Sequence, residues 1–294
     1  MRPPDRAELL EINRTRLRVW EWGDESAPPL ICVHGAHDHG RMWDELAPRL
    51  ADDFGYRVLA PDLRGHGDSG ALSSGHLWVS LALDLGELAR HAGPPVRFVA
   101  HSFGAGLAMY AASVWPDDVA WVVNLDGLGF GGDGPDDDWD IAADASGSFM
   151  RVERTLQQPA RRYASIEDMV QRRAEVNVRL PRAWVEHLVA HGSVEDEGGF
   201  RWKADPLFRT GFPGDWDVEY ADAEHALLER PLLVLTGAED DTWSDHAPEA
   251  VAQRVAKFSD ARHATVPGAG HYVHIEQPDF VLDAIRRFVD EVGR

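Results

Sequence analysis

Positive charge is scarce in this chain, and cysteine is nearly missing. Across 294 residues there are 29 Lys and Arg against 50 Asp and Glu, a formal charge of −21 at pH 7. A field of that sign repels phosphates, which argues against nucleic acid and anionic membranes as partners. Lys203 and Lys257 are the only lysines. The single cysteine, Cys32, has no partner for an intramolecular disulfide and lies in an apolar run, so packing is its expected role. No apolar run approaches the ~18 residues of a membrane span, and the opening MRPPDRAELL holds no apolar signal core. A cytoplasmic protein is therefore expected. With 44% hydrophobic residues, a chain of this length can bury a full core, as one large domain or as a core with an insert.

Short β-rich apolar runs alternate with helical patterns. Strands are expected at 17–22, 30–34, 57–60, 96–101, 119–125, 232–236 and 263–266, with helices at 42–51, 77–92, 103–114, 248–258 and 278–292. Apolar strands separated by helices imply a mostly parallel sheet covered on both faces, with ligands gathering at the carboxyl ends of the strands. The alternation breaks between Gly129 and about Arg230. That stretch opens on GFGGDGPDDDWD, continues through helical patterns at 166–177 and 182–191, and carries Trp139, Trp184, Trp202 and Trp216. A compact domain does not hold a structureless loop of that length, so a helical insert over the sheet's active edge is expected. The acidic runs DGPDDDWD and VEDEGG read as exposed loops.

One serine stands at a seam. Ala100-His101-Ser102-Phe103-Gly104 joins an apolar strand to a helix pattern rich in small residues. A residue at such an apex is held in a strained conformation with its side chain exposed, and Gly104 and Gly106 allow strand and helix to approach closely. The helix start behind it favours developing negative charge. A serine hydroxyl needs a neighbouring base to become a nucleophile. The chain has 14 histidines, and His271 is one that follows two nearby glycines, in Gly268-Ala269-Gly270-His271, between the last expected strand and the last expected helix. The run His37-Asp38-His39 invites a metal reading, but no second ligand group with standard spacing follows it, so no metal is expected.

The seam serine, with Ala100 in place of the first glycine of G-x-S-x-G, resembles a nucleophile elbow. The pair His34-Gly35, the turn Asp62-Leu63-Arg64-Gly65-His66-Gly67-Asp68-Ser69 and the ending GHYVHIEQP accompany it in order. Together these motifs resemble the capped α/β-hydrolases from about residue 10 to the end of the chain. The resemblance implies an α/β-hydrolase fold: a mostly parallel eight-stranded sheet with helices on both faces and a helical cap inserted after the sixth strand. Residues 1–128 would form the first part of the core, 129–229 the cap, and 230–294 the second part. GFRWKADPLFR looks like a segment of the serine-hydrolase-like branch.

The resemblance also assigns roles. Ser102 is the nucleophile and His271 the base. The family's G-x-x-D after the penultimate strand selects Asp240 as the acid, with Asp126 at the end of the preceding strand as the alternative. Backbone N–H groups of Ala36 and Phe103 would form the oxyanion hole. His37, His101 and Trp139 are substrate-pocket candidates. Asp62 and Arg64 are expected to tie backbone, and His274 and Glu276 to anchor the last helix. Relatives that cleave epoxides or haloalkanes carry a carboxylate at the elbow, which Ser102 excludes. What is implied is a cofactor-free hydrolase of a small-molecule ester, lactone or thioester. Carbon–carbon hydrolysis of a β-diketone-like substrate is the alternative, with a non-catalytic binding module or a cofactor-free oxygenase or lyase as minor ones.

Overall fold

In the computed structural model, residues 1–72, 77–128, 141–158, 160–210, 227–243 and 247–293 are described. The strands, in chain order, are β1 Arg6–Ile12, β2 Thr15–Trp22, β3 Pro29–Val33, β4 Arg57–Pro61, β5 Val96–His101, β6 Val119–Leu125, β7 Ser193–Asp196, β8 Gly199–Trp202, β9 Leu232–Gly237 and β10 Ala261–Val266. Eight of them form one sheet in the order β1-β2-β4-β3-β5-β6-β9-β10. Pairing is parallel from β4 through β10 and antiparallel at β1–β2 and β2–β4. This is the α/β-hydrolase sheet that the sequence motifs implied.

The helices are α1 Leu46–Phe54, α2 Leu77–Ala92, α3 Phe103–Val114, α4 Ile141–Gln157, α5 Ile166–Val176, α6 Arg182–Gly192, α7 Pro248–Val255, the short α8 Val273–Glu276, and α9 Pro278–Val292. Strand alternation splits the core in two. Leu30 and Cys32 of β3 enter a cluster with Leu50 of α1 and Ile285 of α9, while Ile31 and Val33 enter another with Leu85 of α2 and Leu107 of α3. Both faces of the sheet are thus covered, and β5 is buried at all of its positions. Cys32 is fully buried among apolar neighbours, in line with a packing role.

Between β6 and β9 the core is interrupted by α4, α5, α6 and the separate hairpin β7–β8. Helix α5 starts cleanly because Ser165 and Asp168 form a reciprocal capping box. It buries Met169 and Val170, while α6 buries Trp184, Val185, Leu188 and Val189. No helix among the described residues is long and apolar enough to cross a membrane.

Two local expectations are corrected. Strand β1 was not legible as a strand: its charged residues are largely exposed, and it reads as a strand only when set against β2, where Glu11 faces Arg16 and Arg6 faces Glu21. The run VEDEGG is not simply a loop. Its first three residues complete β7 and its last glycine, Gly199 at φ +101, opens β8 after a tight turn. The run DGPDDDWD and Trp216 lie outside the described residues.

The approach of α3 to β3 fixes where the elbow sits. A Cβ on Gly104 would lie 2.4 Å from the His34 carbonyl oxygen and 2.8 Å from that of Val33. Both are backbone atoms that cannot move aside. Gly104→Ala should therefore destabilise the fold by about 1–3 kcal/mol, the usual cost of overpacking, measured as a lowered urea midpoint at unchanged slope. A wild-type midpoint would show that the contact is not as tight as described.

Candidate active site

Ser102 takes φ 52 and ψ −125, a left-handed conformation that costs a non-glycine residue energy and needs support from its surroundings. Its N–H donates to the Leu125 carbonyl at 3.0 Å, and its own carbonyl accepts from Ala105 N–H at 2.9 Å. The first bond ties the elbow to the end of β6, the second to the first turn of α3. The hydroxyl is thereby held at the carboxyl end of the sheet.

His271 reaches it from the loop after β10. Its Nε2 lies 2.9 Å from Ser102 Oγ, and its Nδ1 lies 2.7 Å from Asp126 Oδ2. A carboxylate can only accept, so Nδ1–H donates to Asp126 and Nε2 is left to accept the serine proton. The loop is fixed on both sides of the imidazole. His271 N–H donates to Asp241 Oδ2 at 3.3 Å, and the His271 carbonyl accepts from His101 Nε2 at 2.9 Å. Glu276 accepts from Gly270 N–H, so it holds the loop itself. His274 is buried and stacks on Trp43 at 4.8 Å between ring centroids.

The carboxylate that meets the imidazole is Asp126, not Asp240. In the sheet β6 lies between β5 and β9, so its end stands beside the elbow. Asp126 turns at φ 53, is 3% exposed, and also accepts from Gly237 N–H at 3.1 Å through its other oxygen. Asp240 is exposed on the loop after β9, and its neighbour Asp241 is the residue that faces the His271 backbone. A signal for Asp126 was present in the sequence. Gly127 follows it, and a Cβ there would lie 2.4 Å from the Ser102 carbonyl oxygen. That glycine marks a strand end pressed against the elbow.

Gly35 brings the loop after β3 to the same place. A Cβ on it would meet Ser102 Cβ at 3.1 Å and His101 Nδ1 at 2.8 Å. Ala36, the next residue, and Phe103 are both half-buried beside the serine. His37, at φ 64, is half-buried with its ring 5.5 Å from that of Phe208. His101 is corrected as a pocket candidate. It is fully buried, packed against the rings of His271 at 4.6 Å, Tyr272 at 4.9 Å and His274 at 4.8 Å, so it backs the histidine loop and does not line a pocket. Trp139 lies outside the described residues.

Sequence reasoning missed the imidazoles that support this loop. His66 Nε2 accepts from His37 N–H, while His34 Nε2 accepts from Leu63 N–H and its Nδ1 donates to the Gly35 carbonyl. The turn after β4 thus braces the loop after β3. Asp62 accepts from Gly40 N–H, Asp68 N–H and Trp20 Nε1, and Arg64 donates to the Asn13 carbonyl at 3.3 Å, both tying backbone as expected; Arg64 also forms a two-pronged pair with Asp84 of α2. Histidines in G-x-G-like turns carry no spacing rule that would have flagged them.

Among the described residues, Asp44, His187 and His191 bring potential metal-ligand atoms within 4.8 Å of one another. The place is already taken by a cation. Arg41 donates to both Asp44 oxygens and reaches His191 Nδ1 at 3.3 Å. Of the His37-Asp38-His39 run, Asp38 pairs with Arg173, and His39 Nε2 donates to the Leu188 carbonyl.

A strained serine between a parallel strand and a helix, bonded to an imidazole that is bonded to a carboxylate, defines a hydrolase of the α/β type. The chain belongs to the alpha/beta hydrolase family, whose model matches residues 30–284. It is 27% identical to the 2-(acetamidomethylene)succinate hydrolase of Mesorhizobium japonicum over 96% of this chain and 94% of that protein. It is 25% identical to the sn-1-specific diacylglycerol lipase ABHD11 of Mus musculus over 91% of this chain and 82% of that one. Among solved structures, an E-2-(acetamidomethylene)succinate hydrolase superposes with a TM-score of 0.79 at 25% identity, covering 97% of this chain and 99% of that one. A thioesterase domain from the curacin biosynthetic pathway superposes at 0.80 with 21% identity, covering 96% and 98%, a likeness of fold.

Two measurements follow from this geometry. An imidazole Nδ1–H bonded to a carboxylate gives a proton resonance far downfield; it should be present in wild type and in Asp240→Asn, and lost in Asp126→Asn. Loss in Asp240→Asn alone would reverse the assignment. The second concerns acid stability. Burial pushes His34 and His39 down to about 4 and His66 and His101 to about 3. Below the ordinary histidine value of ~6.5 the unfolded chain takes up protons that these folded sites refuse. Stability should therefore fall as pH drops from ~6.5 towards 4 and stay flat in this respect above neutrality. Urea midpoints measured at pH 7.5 and pH 5 test this, and equal midpoints would refute it.

Proposed function

We propose that this hydrolase cleaves a carboxylic ester, lactone or thioester of a small substrate through an acyl-enzyme on Ser102. One observation carries the reading: the unbroken line from Ser102 Oγ through His271 to Asp126, with contacts of 2.9 and 2.7 Å. In this reading His271 Nε2 takes the serine proton as Oγ attacks the carbonyl carbon. Asp126 holds the ring in its working tautomer and stabilises the imidazolium. The N–H groups of Ala36 and Phe103 receive the oxyanion, a contribution of about 2.7–4 kcal/mol per donor in comparable sites. His271 then returns the proton to the departing alkoxide or thiolate. It next deprotonates a water, which attacks the acyl carbon; as the acyl–Oγ bond breaks, His271 returns that proton to Ser102 Oγ and the carboxylic acid leaves. The lipase and hydrolase names of the relatives support acyl or related hydrolysis as the class of reaction.

The test is a panel of p-nitrophenyl esters of increasing acyl length, with wild type beside Ser102→Ala, Asp126→Asn and Asp240→Asn. Turnover should vanish in Ser102→Ala and fall on the order of 10⁴-fold in Asp126→Asn, the size seen when a triad acid loses its charge. Asp240→Asn should behave as wild type. Wild-type protein that labels with a fluorophosphonate at Ser102 but turns over no ester would move the reading to carbon–carbon hydrolysis with the same residues. Turnover that survives Ser102→Ala would overturn the acyl-enzyme.

A further inference from the structure

One buried charge on α5 touches both loops that form the candidate site. Arg173 lies in the last turn of that helix, its side chain only 11% exposed. One of its terminal nitrogens, Nη2, donates to Asp38 Oδ1 at 2.5 Å and to the Tyr272 hydroxyl at 3.0 Å. Tyr272 completes the triangle by donating to Asp38 Oδ2 at 3.2 Å. Asp38 is two residues past Ala36, and Tyr272 is the residue after His271. A single guanidinium from the insert therefore joins the loop of the expected oxyanion donor to the loop of the base.

The surroundings give this contact a direction. Further ties run from the insert to the segment after Ala36 and to the histidine loop. His39 Nε2 donates to the Leu188 carbonyl of α6, His187 Nε2 donates to the Arg41 carbonyl, and Arg179 pairs with Glu276 and donates to the Gly268 carbonyl. Burial by itself would raise the Asp38 carboxyl, but the Arg173 charge and hydrogen bond, together with the neighbouring imidazoles of His101 and His39, outweigh it and leave the group at about 2. The pair is thus charged whenever the enzyme is folded near neutrality. Buried ion pairs return little net stability, because desolvation cancels much of their attraction. Arg173 is also poorly served as a structural cation: its Nε is buried without a hydrogen-bond partner among the described residues. An apolar side chain would fill this place at lower cost if holding the insert down were all that was needed.

We infer that Arg173 is a positioning residue: it sets the Ala36 loop and the His271 loop in register with each other when α5 is seated on the core. The inference rests on the serine-hydrolase reading above. Through Asp38 it fixes the backbone that presents the Ala36 N–H, and through Tyr272 it fixes the backbone that carries the imidazole. An insert that lifts would take this tie with it, so the two halves of the site come into line only beneath a seated cap. The guanidinium is turned to Asp38 and Tyr272, so its effect falls on the rate of the chemical step and not on substrate affinity.

The experiment compares Arg173→Met, Arg173→Lys, Asp38→Asn and the Arg173→Met/Asp38→Asn double variant with wild type. Arg172→Met is the control, since Arg172 is exposed on the same helix and pairs with the neighbouring surface residue Glu175. Circular dichroism and the downfield His271 proton establish that each variant is folded with its Asp126 contact in place. Arg173→Met should lose about 10²-fold in kcat, the size expected for a misplacement of about 1 Å, with KM unchanged and Ser102 fluorophosphonate labelling slowed in parallel. Arg173→Lys should recover part of the loss, and the double variant should be no slower than the worse single one. If Arg173→Met does not fold, Tyr272→Phe is read in its place; it keeps the ion pair, cuts the tie to the histidine loop, and should lower kcat with KM unchanged. A folded Arg173→Met with wild-type kcat overturns the inference, as does a loss confined to KM, or losses that multiply in the double variant. Wild-type Ser102 that neither labels nor turns over ester overturns the hydrolase reading itself, and this inference with it.

Discussion

Everything at this site depends on a serine held in a conformation it would not choose. A left-handed φ at a residue with a side chain survives only where neighbouring backbone leaves no alternative. Here the neighbours are the carbonyls of Val33 and His34 behind Gly104, the Leu125 carbonyl above the Ser102 N–H, and Gly127 beneath the Ser102 carbonyl. Three strands and one helix converge on a single residue. The constraint explains why small residues cluster in the elbow, and why the strand end at Asp126 is pressed so close to it.

From that point the site grows by backbone contacts more than by side chains. The histidine loop is clamped at both the N–H and the carbonyl of His271. The loop after β3 is braced by His34 and His66 from below and by Asp38 and His39 against the insert above. Positioning matters because a proton relay and an oxyanion hole work only when donors and acceptors lie within hydrogen-bond reach at the moment charge develops. Neutral imidazoles suit such bracing. Each both donates and accepts, and burial keeps these uncharged at neutral pH.

The core and the insert differ in how far sequence could describe them. The core strands announce themselves as apolar runs because both faces of the sheet are covered. Strand β1 did not, since it sits at an edge and its charged residues make sense only opposite those of β2. In the insert, α5 and α6 carry readable apolar stripes, but Arg173 looked like any charged residue of an amphipathic helix. Nothing in its local sequence marks it as buried, because its partners lie 135 and 99 residues away.

The sequence by itself named the hydroxyl and the imidazole that the structure brings together. Ser102 in a strand-to-helix seam is a local pattern, set by what a sharp turn requires of nearby residues, while His271 is singled out by the resemblance of its run to the family's ending. It also determined the mostly parallel sheet, through the alternation of apolar strands and helices. Only the tertiary structure decided which carboxylate meets the imidazole. Asp126 and Asp240 both follow strands that end at the same edge, and the choice between them depends on strand order and on a positive φ at Asp126, neither of which is a property of the local sequence.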